Sequence, residues 1–157
     1  MLNSIQTGEV TSKGVELEAS HGLTDDFSLT AAYSYVDAKV TSSTFAPEVG
    51  VQLSDVPKEQ ASLWGVKTLG LAKDLSLRLG AGVRYIGSTL STSASGSLTT
   101  PSYTLADALI SLDSPSWAAS ISATNVFDKS YYSPCRAFGD CFTGNRRSIV
   151  GTLSYRF

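Results

Sequence analysis

His21 is the one histidine of this chain, and Cys135 and Cys141 are its two cysteines. Nucleophilic catalysis of the Ser–His kind needs an imidazole within hydrogen-bond reach of the hydroxyl. Serine and threonine are plentiful here, but none has a partner histidine in plausible reach, and no glycine-rich phosphate loop occurs. The chain is therefore predicted not to be an enzyme. The two cysteines are separated by five residues, a spacing that suits a disulfide in an oxidising compartment. A metal site is the poorer reading, because no histidine lies nearby. Glu16 and Glu18 fall on one face of an extended segment, and Arg78 and Arg84 fall together on another.

The elements that carry these residues alternate with a period of two. Phe157, Tyr155, Leu153, Gly151 and Ile149 share one face, and Arg156, Ser154, Thr152 and Val150 the other. The pattern recurs at Leu75, Leu77, Leu79, Ala81, Val83 and Tyr85, at Phe27, Leu29, Ala31, Tyr33 and Tyr35, at Trp117, Ala119, Ile121 and Ala123, and at Val15, Leu17 and Ala19. Residues 103–112 read best with Ala106, Ala108, Ile110 and Leu112 on the apolar face. Residues 60–69 are ambiguous, because Leu63 and Trp64 are adjacent; Lys67 is expected to face away from lipid. Seven strands of about 10 to 14 residues result, long enough for the roughly 9–11 residues with which a tilted strand crosses a bilayer. A membrane barrel strand needs one face for lipid and one for the lumen. A soluble sandwich also alternates, but its strands are usually shorter, roughly 5–6 residues. Mean hydropathy is +0.04, and no apolar run is long enough for a helical span. Charged residues make up 17% and the net charge is −2, which offers no surface for nucleic acid. One domain is the natural count.

Connection lengths give a direction. Short turns fall at His21–Asp25, Gly70–Asp74 and Asp113–Ser116, and long ones at Val40–Pro57, Ser88–Pro101 and Asp128–Asn145. Outer-membrane barrels keep short turns on the periplasmic side and long loops outside. Tyr35, Tyr85 and Phe127 then form an outer girdle, and Phe27, Trp117, Tyr155 and Phe157 an inner one. His21 becomes a residue of an inner turn. The cysteine loop lies outside the cell, where a disulfide is expected to hold Arg136–Asp140 as a rigid tip. Ser88–Thr100, almost all Ser, Thr, Gly and Ala, is expected to be mobile. Val40–Val56, with Phe45, Val49, Val51 and Leu53, is expected to fold over the barrel mouth. The paired charges are expected to line a wet, self-neutralising lumen; contact with a plug or selection of solutes is the alternative. Leu79→Arg is expected to be costly, and Gly80→Arg electrostatically milder.

Five segments in order then become specific. Gly8-Glu9-Val10-Thr11-Ser12-Lys13-Gly14-Val15-Glu16-Leu17-Glu18, Pro57 through Trp64, Tyr103-Thr104-Leu105-Ala106-Asp107-Ala108, Asn125-Val126-Phe127-Asp128-Lys129-Ser130-Tyr131-Tyr132, and Gly144-Asn145-Arg146-Arg147 with the strand after it resemble the C-terminal end of TonB-dependent outer-membrane receptors of the siderophore-receptor group. Asn145-Arg146 stands where that family commonly has Pro-Arg. The resemblance implies an all-β, antiparallel transmembrane barrel segment, about seven of about 22 strands, in the bacterial outer membrane. Residues 1–157 would be one piece of that barrel, with the plug domain and the earlier strands absent; Met1–Thr7 reads as no signal peptide. The implied role is barrel wall and outer vestibule of a ferric-siderophore transporter, inactive alone, with the ferric siderophore as transported ligand and no resident cofactor or metal. Implied partners are outer-membrane lipid, the remaining barrel and plug, TonB through the plug, and the barrel-assembly machinery. Tyr131, Tyr132, Arg136, Phe138 and Phe142 are the implied ligand-contacting residues, offering aromatic area and charge for an anionic ferric chelate. Ile149, Leu153, Tyr155 and Phe157 are the implied assembly signal. The alternative is a small self-contained outer-membrane barrel with a structural or adhesive role.

Overall fold

Turn chemistry fixes where each strand ends. In the computed structural model, which describes residues 8–94 and 96–157, Asp25–Asp26 alone reverses the chain between β1 (Glu9–Thr24) and β2 (Phe27–Ser42). Lys73–Asp74 does the same between β3 (Glu59–Ala72) and β4 (Leu75–Ile86). Next come a hairpin of β5 (Thr89–Ser93) and β6 (Gly96–Thr100), then β7 (Tyr103–Asp113), β8 (Trp117–Thr124), a second hairpin of β9 (Tyr132–Cys135) and β10 (Cys141–Thr143), and β11 (Ser148–Tyr155). The long strands form a seven-stranded antiparallel sheet in the order β1-β2-β3-β4-β7-β8-β11. Among the described residues β1 pairs only with β2, and β11 only with β8, so the sheet has two open edges. The leader reading at Met1–Thr7 falls outside the described residues.

Register carries each side chain to one of two faces. Leu29, Gly65, Ala81, Ala108, Ala123 and Ile149 form one row across six strands. Rows of this face also hold Leu17, Leu63, Leu79, Val83, Ile110, Ile121 and Leu153, all exposed. An exposed apolar sheet of this extent is what lipid requires, since a strand in water would bury such a face. Among the described residues the buried hydrophobic side chains are Ala38, Leu105 and Cys135, and none lies on that face. The described residues form no soluble-type core.

The structure corrects three expectations. The strands are less uniform than expected, from 16 residues in β1 and β2 to 8 in β8 and β11. His21 belongs to β1, opposite Leu29 on the lipid face, and not to a turn. Lys67 is also on the lipid face, in register with Phe27 and Leu79. It reaches the inner rim, where its ammonium pairs with Asp26 of the tight turn. A long aliphatic stem covers apolar surface while the charge escapes to the interface, so a lysine there needs no luminal position. Within Ser88–Thr100, β5 and β6 pair as a hairpin. The Val40–Val56 connection folds back along β2 through Val40 N–H to Val51 O (3.1 Å) and Leu53 N–H to Ala38 O (2.7 Å).

The ambiguity at residues 63–64 is resolved by glycine. Leu63 faces lipid, and Trp64 lies on the luminal face over Gly80 and Gly82. A Cβ at Gly80 would stand 2.7 Å from Trp64 Cζ2, and one at Gly82 2.3 Å from Trp64 Cε3 and 2.5 Å from Leu63 O. The indole plane needs both side chains absent. Gly80→Arg, expected to be milder only electrostatically, therefore meets a steric obstacle in Trp64.

Leu79→Arg is predicted to cost about 2–4 kcal/mol, the range for a charge near the bilayer midplane. Gly80→Ala is predicted to cost about 1–3 kcal/mol by overpacking, and Trp64→Leu should recover most of that loss. Gly82→Ala should not be recovered by Trp64→Leu, because its second clash is with backbone. Urea unfolding in lipid vesicles, run as a double-mutant cycle, checks all three.

Candidate outer-rim ligand site

The outer ends of β7 and β8 meet at the turn Asn125-Val126-Phe127-Asp128. Asn125 and Asp128 both take positive φ, 51° and 53°, a conformation that Asn and Asp tolerate better than most side chains. Asn125 is buried and uses every polar atom. Its N–H donates to Asp107 Oδ1 (2.9 Å), its Nδ2 donates to Lys129 O (2.9 Å) and Asn145 O (3.1 Å), and its Oδ1 accepts Lys129 N–H (2.9 Å). Asp107 in turn accepts the Arg84 guanidinium from β4. Asp128 accepts Arg146 twice, from Nε at 2.9 Å and Nη2 at 2.6 Å, and also the Arg147 N–H at 3.0 Å. Arg146 Nη1 donates to Ser130 Oγ (2.7 Å). One polar network therefore ties β4, β7, β8 and the entry to β11 together at the rim.

The connection beyond this network carries the five predicted ligand residues. The Cys135–Cys141 disulfide is formed. Arg136 donates its Nε to Asp140 Oδ2 (2.9 Å) and sits 5.0 Å from the centroid of the Phe142 ring. Phe138 stands at the tip, 79% exposed, and Tyr132 and Phe142 are about half exposed. Tyr131 turns back toward the barrel, its ring 4.2 Å from that of Tyr103 and flat against Gly144, where a side chain would collide. A cavity of about 640 Å³ opens beside it, lined by Tyr103, Lys129, Tyr131, Tyr132 and Arg146 among others. The structure thus brings Arg136, Phe138 and Phe142 together on one tip, with Tyr132 at its base and Tyr131 in the wall. Ile149, Leu153, Tyr155 and Phe157 are exposed on or beside the open-edge strand β11, with the Tyr155 and Phe157 rings edge to face at 5.3 Å.

Three arginines on this side are paired within the segment: Arg84 with Asp107, Arg136 with Asp140 and Arg146 with Asp128. At the inner end Arg78 pairs with Asp113 (2.8 Å). The self-neutralising lumen expected of the arginines is what the structure holds for them. Asp107, Asn125, Asp128 and Arg146 carry no role that the sequence alone assigns. Their signal is positional: Asp107, an Asn-x-x-Asp turn and a downstream Asn-Arg-Arg are three sequence-distant pieces that only the strand order joins.

The family model for the TonB dependent receptor-like β-barrel matches residues 2–126. The Ferrioxamine B receptor of Salmonella typhimurium (strain SL1344) is 39% identical over 158 residues, covering 96% of this chain and 22% of its own length. The Ferrichrome outer membrane transporter/phage receptor of Escherichia coli (strain K12) is 34% identical over 159 residues, covering 98% of this chain and 21% of its own. The chain thus spans about a fifth of the length of the curated relatives it matches. Among solved structures, the ferric preacinetobactin receptor of Acinetobacter baumannii superposes with a TM-score of 0.80 at 21% identity, over 96% of this chain and 23% of that one.

The Arg146 guanidinium, helped by the Arg147 N–H, holds the Asp128 carboxyl well below the usual carboxylate range. A carboxyl depressed in the folded state lends stability above its unfolded value of about 3.9 and loses it as pH falls through the folded value. The Arg147 amide resonance should therefore stay fixed between about pH 7 and about pH 5 and move only below the ordinary carboxylate midpoint. Asp128→Asn should displace that resonance at every pH. A midpoint at or above about 4 would contradict the Arg146 pairing.

Proposed function

The chain belongs to the TonB-dependent receptor-like β-barrel family, and on that premise we propose that residues 1–157 form part of the barrel wall and outer vestibule of a ferric-siderophore transporter in the bacterial outer membrane. The observation that carries this reading is the open seven-stranded sheet with an exposed apolar face. In hydrocarbon the unpaired N–H and C=O groups of β1 and β11 need partners, and further barrel strands are the natural ones. The self-contained small barrel is less well supported. Alternating directions make β1 and β11 parallel, and the two do not pair among the described residues.

In this reading the remaining strands and a plug come from chain outside these residues, and energy arrives from TonB through the plug. The segment contributes binding surface and no catalysis. The exposed apolar face of β11 with Tyr155 and Phe157 serves the barrel-assembly machinery. Tyr132, Arg136, Phe138 and Phe142 touch the ligand, and Tyr131 shapes the wall beneath them. Three of the arginines on this side, Arg84, Arg136 and Arg146, are already matched by aspartates. That balance favours a ferric chelate of low net charge held by aromatic area, over a strongly anionic one. The names of the ferrioxamine and ferrichrome relatives support ferric siderophores as the ligand class.

Affinity depends on preorganised surfaces from more than one side of a site. The complete receptor should bind ferrioxamine B or ferrichrome saturably, and residues 1–157 refolded alone in detergent should bind neither. Titration of both proteins with both chelates is the test. Submicromolar saturable binding by the segment alone would overturn this reading in favour of a self-contained barrel.

A further inference from the structure

The β5–β6 hairpin holds two hydroxyls that the ligand reading leaves unused. Ser91 and Thr100 are 8% and 3% exposed, unusually buried for small polar side chains at a rim. The pairing of Thr89 with Thr100 and of Ser91 with Leu98 puts both hydroxyl residues on one face of the hairpin. Each accepts a main-chain N–H from the disulfide loop. Cys135 N–H donates to Thr100 Oγ1 at 2.7 Å, and Ala137 N–H donates to Ser91 Oγ at 3.1 Å. On its other side the hairpin is held to the first outer connection by Asp55 N–H to Leu90 O (3.1 Å) and Thr92 N–H to Ser54 Oγ (3.4 Å).

The disulfide loop is stiff within itself. Its ends are joined by the disulfide, Arg136 N–H bonds Asp140 O (2.8 Å), and Gly139 N–H bonds Arg136 O (2.9 Å). Stiffness alone does not aim the tip. A rigid loop joined to the barrel at two ends still pivots unless a third point restrains it. Ser91 and Thr100 bond the loop at Cys135 and Ala137, on either side of Arg136.

We propose that Ser91 and Thr100 are positioning residues for ligand capture: their hydroxyls fix the direction in which Arg136, Phe138 and Phe142 are presented. This rests on the transport reading above. Removing an acceptor while its N–H stays buried is costly, so the loop should swing out to find water and the tip should leave its place. The effect belongs to binding and not to translocation.

The test uses the complete receptor with ferrioxamine B and ferrichrome as probes. The double variant Ser91→Ala/Thr100→Val should raise the half-saturating concentration for uptake about tenfold, as expected for two lost neutral hydrogen bonds, and leave the maximal rate unchanged. The conservative Ser91→Thr and Thr100→Ser variants should stay within about twofold of wild type. Hydrogen exchange of the 133–142 peptide should quicken in the double variant alone, with surface level and heat-modifiable mobility unchanged. Wild-type uptake and wild-type exchange in the double variant would overturn the proposal, as would an equal fall in maximal rate. If the wild-type receptor takes up neither chelate, the transport reading fails and exchange decides the bracket: quickened exchange supports it, unchanged exchange overturns it.

Discussion

Every backbone N–H and C=O that enters hydrocarbon must find a partner there, and the continuous ladder from β1 to β11 is this segment's answer. Once the ladder is set, register follows, and register decides which side chains meet lipid. A slip of one residue in any strand would send its whole apolar row into the lumen. The short inner turns resist such slips, because only two residues, Asp25–Asp26 and Lys73–Asp74, join neighbouring strands, with a single irregularity beside each turn. The outer ends have long connections instead, and there a polar network takes over the same task.

That network explains why the outer rim is ordered. Asn125 sits where three pieces of chain converge, and it is saturated by Asp107, Lys129 and Asn145. Asp128 and Arg146 then clamp the return into β11. A buried polar group at such a junction specifies one arrangement, since each alternative leaves a donor or acceptor unmatched. The disulfide loop and the β5–β6 hairpin build outward from this base. Rigid aromatic tips on a fixed base suit ligand contact, because little conformational freedom remains to be lost on binding.

Much of the wall was legible from alternation alone. Leu77, Leu79, Ala81 and Val83 lie on the face that their spacing predicted, and Ala106, Ala108, Ile110 and Leu112 join them in register. The failures have physical causes. The cost of charge in lipid points Lys67 to the lumen, but that rule ignores a stem long enough to reach Asp26. In Ser88–Thr100, Ser91 and Thr100 carry hydroxyls that bind a neighbouring loop distant in sequence, which composition does not show. The pairing of Arg136 with Asp140, four residues on, is a further contact that alternation does not show. Trp64 was ambiguous until the strand order placed Gly80 and Gly82 beneath it. In each case the missing information was a contact between residues far apart in sequence or a side chain's reach, neither of which periodicity records.

The central claim is that one face of this sheet meets lipid and the other meets water. Spin labels placed singly from Ser28 to Tyr35 on β2 of the membrane-embedded protein measure it directly, since the native cysteines are tied to each other. Collision with dissolved oxygen should peak at Leu29, Ala31, Tyr33 and Tyr35, and collision with a water-soluble nickel chelate at Ser28, Thr30, Ala32 and Ser34. Opposite phase, or no period of two, would contradict the account.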